Sequence, residues 1–155
     1  MAAHTAHVIW ERADGVRFTD NKYSRAHRWQ FDGGAIVPAS SSPAVVPVPL
    51  SDPAGVDPEE AFVASLSSCH MLYFLFFAAK GGFTIDSYRD EAVGHVEKNE
   101  EGRQAVTRVV LRPAIAFSGE RVPTPEQIAE MHDKAHHECF IANSVRTVVT
   151  VEHGD

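Results

Sequence analysis

Apolar residues fill one long segment in the middle of the chain, and they alternate with polar residues on either side of it. Residues 62–79 contain no Asp, Glu, Lys or Arg. The preceding Asp-Pro-Glu-Glu at 57–60 offers an N-cap, a proline for the first helical position and acidic side chains for the first turn. Lys80 and the two glycines at 81–82 are typical of a helix end. The pattern predicts a long helix that is apolar nearly all round and surrounded by protein.

Short runs of alternating polar and apolar residues predict strands before and after this helix. Strands are expected at 5–12, 24–32, 84–98, 103–118 and 145–152. A proline-rich loop over 35–56 and a second helix that begins after Thr124, with capping-box spacing to Gln127, complete the order. The buried stripe of this helix is expected at Ile128, Met131 and Ala135. Because strands and helices do not alternate regularly, the pattern predicts an α+β fold rather than a doubly wound sheet.

Length and charge narrow the class of protein. The 155 residues fit a single domain over 1–155, and the net charge of −7 argues against nucleic acid and anionic membranes as partners. The N-terminus lacks a basic region followed by an apolar core, so we expect a cytoplasmic protein with reduced cysteines. The uncharged segment at 62–79 contains serines and a histidine and is shorter than the ~20 apolar residues of a typical membrane span. A buried helix is therefore expected there.

The two cysteines are the first candidates for chemistry. Cys69 lies deep in the apolar helix among Ser67, Ser68 and His70, and Cys139 follows the second helix. A free cysteine is most often a small buried core residue, and this interpretation stays open for Cys69. A nucleophilic thiol needs a lowered pKa, and the helix dipole acts only near the helix ends. A cation from elsewhere, best an arginine from the N-terminal strands, would have to activate Cys69.

A second candidate group consists of His132, His136, His137 and Cys139. His132 and His136 are four residues apart on the predicted helix, a spacing that suits two zinc ligands. No CxxC or HExxH motif supplies further ligands, so we favour a solvated polar face and expect neither metal nor cofactor. A metal-binding stress protein stays an alternative.

Two segments resemble the OsmC/Ohr hydroperoxide reductases. The first is Asp-Pro-Glu-Glu-Ala-Phe at 57–62 followed by Ser-Ser-Cys at 67–69, and the second is Ala-His-His-Glu-Cys at 135–139 followed by Asn143. They lie at the family's usual separation, and the predicted order of elements fits over nearly the whole chain. The resemblance implies antiparallel sheets packed on a long buried central helix, in an intertwined homodimer. Phe140 departs from the family, which often has proline there.

The resemblance also implies roles for individual residues. Cys69 would be the peroxidatic cysteine, Cys139 the resolving cysteine and Glu59 a catalytic glutamate. The active-site arginine is assigned to Arg25, with Arg17 and Arg28 left open. These last two residues lie near the same strands.

The implied activity is the reduction of organic hydroperoxides to alcohols, which protects against oxidative stress. Cys69 would become a sulfenic acid and then form a disulfide with Cys139, which an external dithiol, for example of the lipoyl type, would reduce. Glu59 would hold Arg25 through a two-point ion pair. Apolar loop residues would favour organic hydroperoxides over hydrogen peroxide; the candidates are Val46, Val48 and Leu50. The alternative is a non-enzymatic relative that binds a small ligand or a metal.

The spacing of Glu59 and Cys69 predicts a shared site in a dimer. They are ten residues apart on one helix, which is about 15 Å along its axis. One arginine is not expected to reach both in the same chain. We therefore expect Glu59 to serve the active site of a partner subunit, with the sites at a two-fold interface.

Overall fold

The computed structural model describes residues 1–153. In chain order the elements begin with β1 (Ala6–Ile9), β2 (His27–Phe31), β3 (Ile36–Ala39) and the helix α1 (Pro58–Lys80). They continue with β4 (Thr84–Asp90), β5 (Val93–Lys98), β6 (Gln104–Leu111), β7 (Pro113–Ser118), the helix α2 (Pro125–Glu138), a 3₁₀ turn (Ala142–Ser144) and β8 (Val148–Val151). The predicted α+β fold with antiparallel sheets and two helices is confirmed.

The chain divides into two compact units, Met1–Ala61 and Phe62–Asp155. The first unit carries an antiparallel sheet in the order β1-β2-β3. Its third strand lies inside the segment predicted as a loop. The sequence analysis missed this strand because it contains Pro38, and a proline cannot donate a hydrogen bond to a neighbouring strand. Proline is tolerated at the edge of a sheet, which is where β3 lies. That the whole chain folds as a single domain stays a prediction.

The second unit carries two further sheets. One pairs β4 with β7, and the other has the order β5-β6-β8, in which β8 runs parallel to β6. The expected strands at 84–98 and 103–118 are therefore each divided into two. The chain leaves one sheet and enters the other at both breaks, and Arg112, directly before Pro113, lies at the second break. A change of sheet of this kind requires a bend that the polar–apolar alternation does not reveal.

The helix α1 begins and ends where the sequence predicts. Asp57 Oδ1 accepts a hydrogen bond from the backbone N–H of Glu60 at 2.8 Å, and Glu60 Oε2 accepts one from the backbone N–H of Asp57 at 3.2 Å. This reciprocal cap satisfies two of the free N–H groups at the start of the helix. Gly82, at φ 80°, follows the last turn.

One face of α1 packs into the core of the second unit. Its buried residues recur every four positions and are Leu66, His70, Phe74 and Ala78. On other sides of the helix, Leu72 is 62% and Phe76 56% exposed. The helix is long and apolar enough to cross a membrane by length and composition, but a core helix meets the same criterion, and the packed face identifies α1 as one.

The helix α2 starts with the predicted capping box. Thr124 Oγ1 accepts from the backbone N–H of Gln127 at 3.3 Å, and Gln127 Oε1 accepts from that of Thr124 at 2.9 Å. Met131 and Ala135 are buried as expected. His132, which was expected on a solvated face, is only 3% exposed. The expectation of a solvated surface position is therefore wrong for His132, which belongs to the core.

Candidate active site

The structure brings the two cysteines together. Cys69 is half-buried on α1, Cys139 is 1% exposed at the C-cap of α2, and both are free thiols. The Cys139 thiol lies close enough to that of Cys69 for the interaction of the two side chains to raise the pKa of Cys139. The sulfur of Cys139 also accepts the backbone N–H of Ala142 at 3.4 Å. A half-buried thiol therefore lies close to a buried one.

Burial keeps Cys139 protonated. Loss of solvent, together with the neighbouring Cys69 side chain, raises the pKa of the Cys139 thiol to about 11, although the N–H of Ala142 opposes the rise. Cys139 is therefore a protonated and weakly nucleophilic thiol at pH 7, since only a thiolate is a strong nucleophile.

An aromatic pair lies beside the thiols. Tyr73 is one turn after Cys69 on α1, and burial raises the pKa of its phenol, with smaller contributions from Cys69, Glu138 and Cys139. The ring of Phe140 meets the Tyr73 ring edge-on, with the centroids 5.9 Å apart. The sequence analysis did not select Tyr73, although its spacing of four residues from Cys69 was a usable signal.

His70 and His132 form a buried hydrogen-bonded pair. His70 Nε2 lies 2.9 Å from His132 Nδ1, and the two rings are stacked. Burial, together with nearby histidines, lowers the pKa of His70 to about 4 and that of His132 to about 3. Both rings are therefore neutral at pH 7. The considered zinc pair of His132 and His136 is not supported, because His132 binds His70 and residues 1–153 hold no group of three or more potential metal ligands.

In the first unit, Arg25 and Glu59 line one cavity of about 530 Å³ with mostly apolar walls. Trp10, Phe18 and Val46 contribute to these walls.

Other residues that the sequence suggested for the site do not line this cavity. Of the candidate arginines, Arg28 instead forms an exposed ion pair with Glu11, and Arg17 donates to Thr19. Of the loop residues proposed to meet the substrate, Val48 is 58% exposed and does not line this cavity.

Arg25 and Glu59 do not form the expected two-point ion pair. The guanidinium of Arg25 lies 3.7 Å from the centre of the Tyr23 ring, and it donates to Asn21 Oδ1 at 2.9 Å and to the backbone carbonyl oxygen of Tyr23. Glu59 Oε2 is buried and has no hydrogen-bond partner in the described part of the chain, and burial raises the pKa of Glu59. The local turn therefore satisfies the arginine, while Oε2 of Glu59 is left without a partner.

The sequence matches the profile of the family described as OsmC-like protein over residues 51–154. An OsmC-like protein of unknown function from Vibrio cholerae has a similar structure, with 58% sequence identity and a TM-score of 0.98 over 99% of this chain and 100% of that chain. No curated protein matches the chain.

Two organic hydroperoxide resistance proteins share the fold at lower identity. The protein from Elizabethkingia anophelis is 18% identical, with a TM-score of 0.66 and 99% of each chain covered. The protein from Bacillus subtilis is 19% identical, with a TM-score of 0.60, covering 97% of this chain and 98% of that chain. At this identity the similarity shows a common fold.

Proposed function

This chain belongs to the OsmC-like protein family, and we propose that it reduces organic hydroperoxides to alcohols with Cys69 as the nucleophile. The observation that carries the proposal is the proximity of the half-buried Cys69 and the buried thiol of Cys139. Two neighbouring thiols, with only one open to solvent, suit a peroxidatic and a resolving cysteine. The names of the hydroperoxide resistance proteins with this fold support the same substrate class.

The proposed reaction has two chemical steps and a reset. The Cys69 thiolate attacks the distal peroxide oxygen, the O–O bond breaks, and the alkoxide takes up a proton and leaves as alcohol. The resulting sulfenic acid is attacked by Cys139, an S–S bond forms, and hydroxide leaves as water with the proton of Cys139. A dithiol such as a lipoyl group then reduces the disulfide by exchange and is itself oxidised. The scheme uses no metal or organic cofactor and suits a reducing cytoplasm under oxidative stress.

The lining of the cavity in the first unit favours an organic hydroperoxide as the substrate. Its apolar walls, including Trp10, Phe18 and Val46, can take up the hydrocarbon part of a hydroperoxide, and Arg25 can stabilise the negative charge that develops on oxygen. Glu59 would orient the arginine once substrate is bound. Hydrogen peroxide has no hydrocarbon part and gains nothing from these walls.

The functional unit is proposed to be a homodimer. Leu72 and Phe76 leave apolar surface of α1 exposed in the isolated chain, and a second copy is the simplest cover for it. Glu59 and Cys69 are ten residues apart on α1, about 15 Å along the axis. The Arg25 and Glu59 of one chain would therefore act on the Cys69 of its partner.

Mixing two inactive variants tests this shared site. Cys69→Ser and Arg25→Met would each be inactive or nearly so alone. If the site is shared, a mixed dimer combines an intact Cys69 from one chain with an intact Arg25 from the other, and random exchange restores about a quarter of wild-type activity. A mixture as inactive as its components, with exchange verified by native mass spectrometry, contradicts the shared site.

Counting thiols tests the activity itself. Reduced protein is mixed with cumene hydroperoxide or hydrogen peroxide, and free thiols are measured with time. The proposal expects loss of two thiols per chain, faster with cumene hydroperoxide, and no loss in Cys69→Ser. Thiols that stay reduced with both peroxides contradict it. In that case binding of a small apolar ligand, or of zinc, would favour the non-enzymatic alternative.

A further inference from the structure

The hydrogen bond between His70 and His132 joins the two helices that carry the cysteines. Within residues 1–153 no other hydrogen bond links a side chain of α1 to α2. His70 is 1% and His132 3% exposed, so water does not compete for this contact. A directional hydrogen bond in such surroundings fixes one relative position of two helices more sharply than apolar contacts, which tolerate small slides.

The pair is closely connected to both thiols through the chain. His70 directly follows Cys69, and His132 lies seven residues before Cys139, which is about two helical turns. Because α2 runs without interruption from Pro125 to Glu138, a displacement of His132 along α1 displaces Cys139 as well. The distance between the thiols therefore depends on where His132 is held.

The surroundings of the pair define the direction of the hydrogen bond. His70 Nδ1 is buried and has no partner among the described residues. If His70 Nε2–H donates to His132 Nδ1, only a lone pair is left unpaired at His70, which costs less than an unpaired buried N–H. The ring of Phe74 packs on His132 with the centroids 4.3 Å apart and restricts its rotation. His132 therefore acts as the acceptor.

We propose that the His70–His132 hydrogen bond positions Cys139 against Cys69, so that its loss slows disulfide formation without slowing the oxidation of Cys69. The two histidines are positioning residues, since neither is required to touch the peroxide. The inference rests on the proposed function for its kinetic part, while the disulfide equilibrium described below depends only on how closely the thiols are held.

Two variants at one position separate hydrogen bonding from packing. His132→Leu fills the space with an apolar side chain that has no acceptor, whereas His132→Asn keeps an acceptor oxygen close to the position of Nδ1. Stopped-flow kinetics with cumene hydroperoxide would resolve sulfenic acid formation from disulfide formation. His132→Leu is expected to keep the first rate within about twofold and to slow the second about three- to tenfold, the range that corresponds to one net hydrogen bond. His132→Asn should recover most of the second rate.

A thiol–disulfide equilibrium gives a second readout without peroxide. Protein oxidised with diamide is equilibrated with dithiothreitol, and the effective concentration of the thiol pair is expected to fall about three- to tenfold in His132→Leu and to recover in His132→Asn. His70→Leu serves as a replacement if His132→Leu does not fold. An unchanged equilibrium and disulfide rate in the folded leucine variant, or equal losses in the leucine and asparagine variants, overturns the proposal. If the wild-type protein does not react with hydroperoxide but the variants show these equilibrium shifts, only the proposed function is overturned.

Discussion

The two units of the chain differ in how the polar groups of their candidate residues are satisfied. In the unit Phe62–Asp155, the thiols of Cys69 and Cys139 lie close together. In the unit Met1–Ala61, Glu59 Oε2 is buried without a partner, and Arg25 is held by Tyr23 and Asn21.

A buried oxygen without a partner costs stability, and such a group requires an explanation, of which a catalytic role is one. The proposed redox pair therefore lies within one chain, whereas the largely apolar cavity is lined by a glutamate whose Oε2 has no partner among the described residues. Variants in each part should therefore affect different steps of the reaction.

The largest effect is expected from Arg25→Met. Loss of the cation removes the stabilisation of the developing oxyanion, and the rate of Cys69 oxidation by cumene hydroperoxide should fall about 10²–10³-fold, as for a lost oxyanion donor. Single-turnover kinetics would measure this rate. Arg28→Met is the matched control, because the Arg28–Glu11 pair is exposed and should leave the rate within about twofold. Equal losses in the two variants would remove the special role of Arg25.

The pH dependence of the second step probes the redox pair alone. With the pKa of Cys139 raised to about 11 by burial, its thiolate fraction should grow about tenfold per pH unit between pH 7 and 9. The rate of disulfide formation from the Cys69 sulfenic acid should rise about 10²-fold over this range, because the thiolate is the attacking species. Cys139→Ser gives the first step separately at each pH. A second step that is independent of pH would show that Cys139 is already ionised.

The cavity should discriminate between substrates. Val46→Ser removes apolar surface from its wall, and kcat/KM for cumene hydroperoxide is expected to fall about tenfold while that for hydrogen peroxide stays the same. Val48→Ser is the control, since Val48 is exposed outside this cavity. If kcat/KM falls for both peroxides, or falls equally in the two variants, the cavity does not select the substrate.

The smallest effect is expected on stability, from Glu59→Gln. Burial raises the pKa of Glu59, so above its ordinary pKa the unfolded chain releases this proton more readily than the folded protein, and the ionised form lowers the stability of the fold. Glu59→Gln should therefore raise Tm slightly at pH 7, with a difference that shrinks as the pH falls through 4.5, while the activity decreases. Thermal unfolding at pH 4 and 7 would measure this. A lower Tm at pH 7 would show that Glu59 supports the fold.

The sequence predicted the parts of the fold that local chemistry determines. The start of α1 at Pro58, its end at Lys80 and the capping box at Thr124 depend on neighbouring residues and are confirmed. The strand β3 and the breaks in the two long strands depend on pairing with distant residues, which a local pattern does not record.

The candidate site was predictable to the same extent. The two family segments indicated both cysteines, which the structure places near each other, but they did not indicate the partners of Arg25. Asn21, at φ 62°, bends the chain so that the Arg25 guanidinium meets residues close in sequence. The burial of His132 also depends on a tertiary contact, that with His70.

The proposal that Cys69 and Cys139 form one redox pair can be tested directly. One equivalent of cumene hydroperoxide is added to reduced protein, the thiols are blocked in acid, and the digest is analysed by mass spectrometry under non-reducing conditions. The account predicts a cross-linked peptide containing Cys69 and Cys139 of the same chain, which disappears on reduction and is absent from Cys139→Ser. Cys69 found as a sulfinic acid beside an unmodified Cys139, or cross-linked to the Cys69 of another chain, would contradict it.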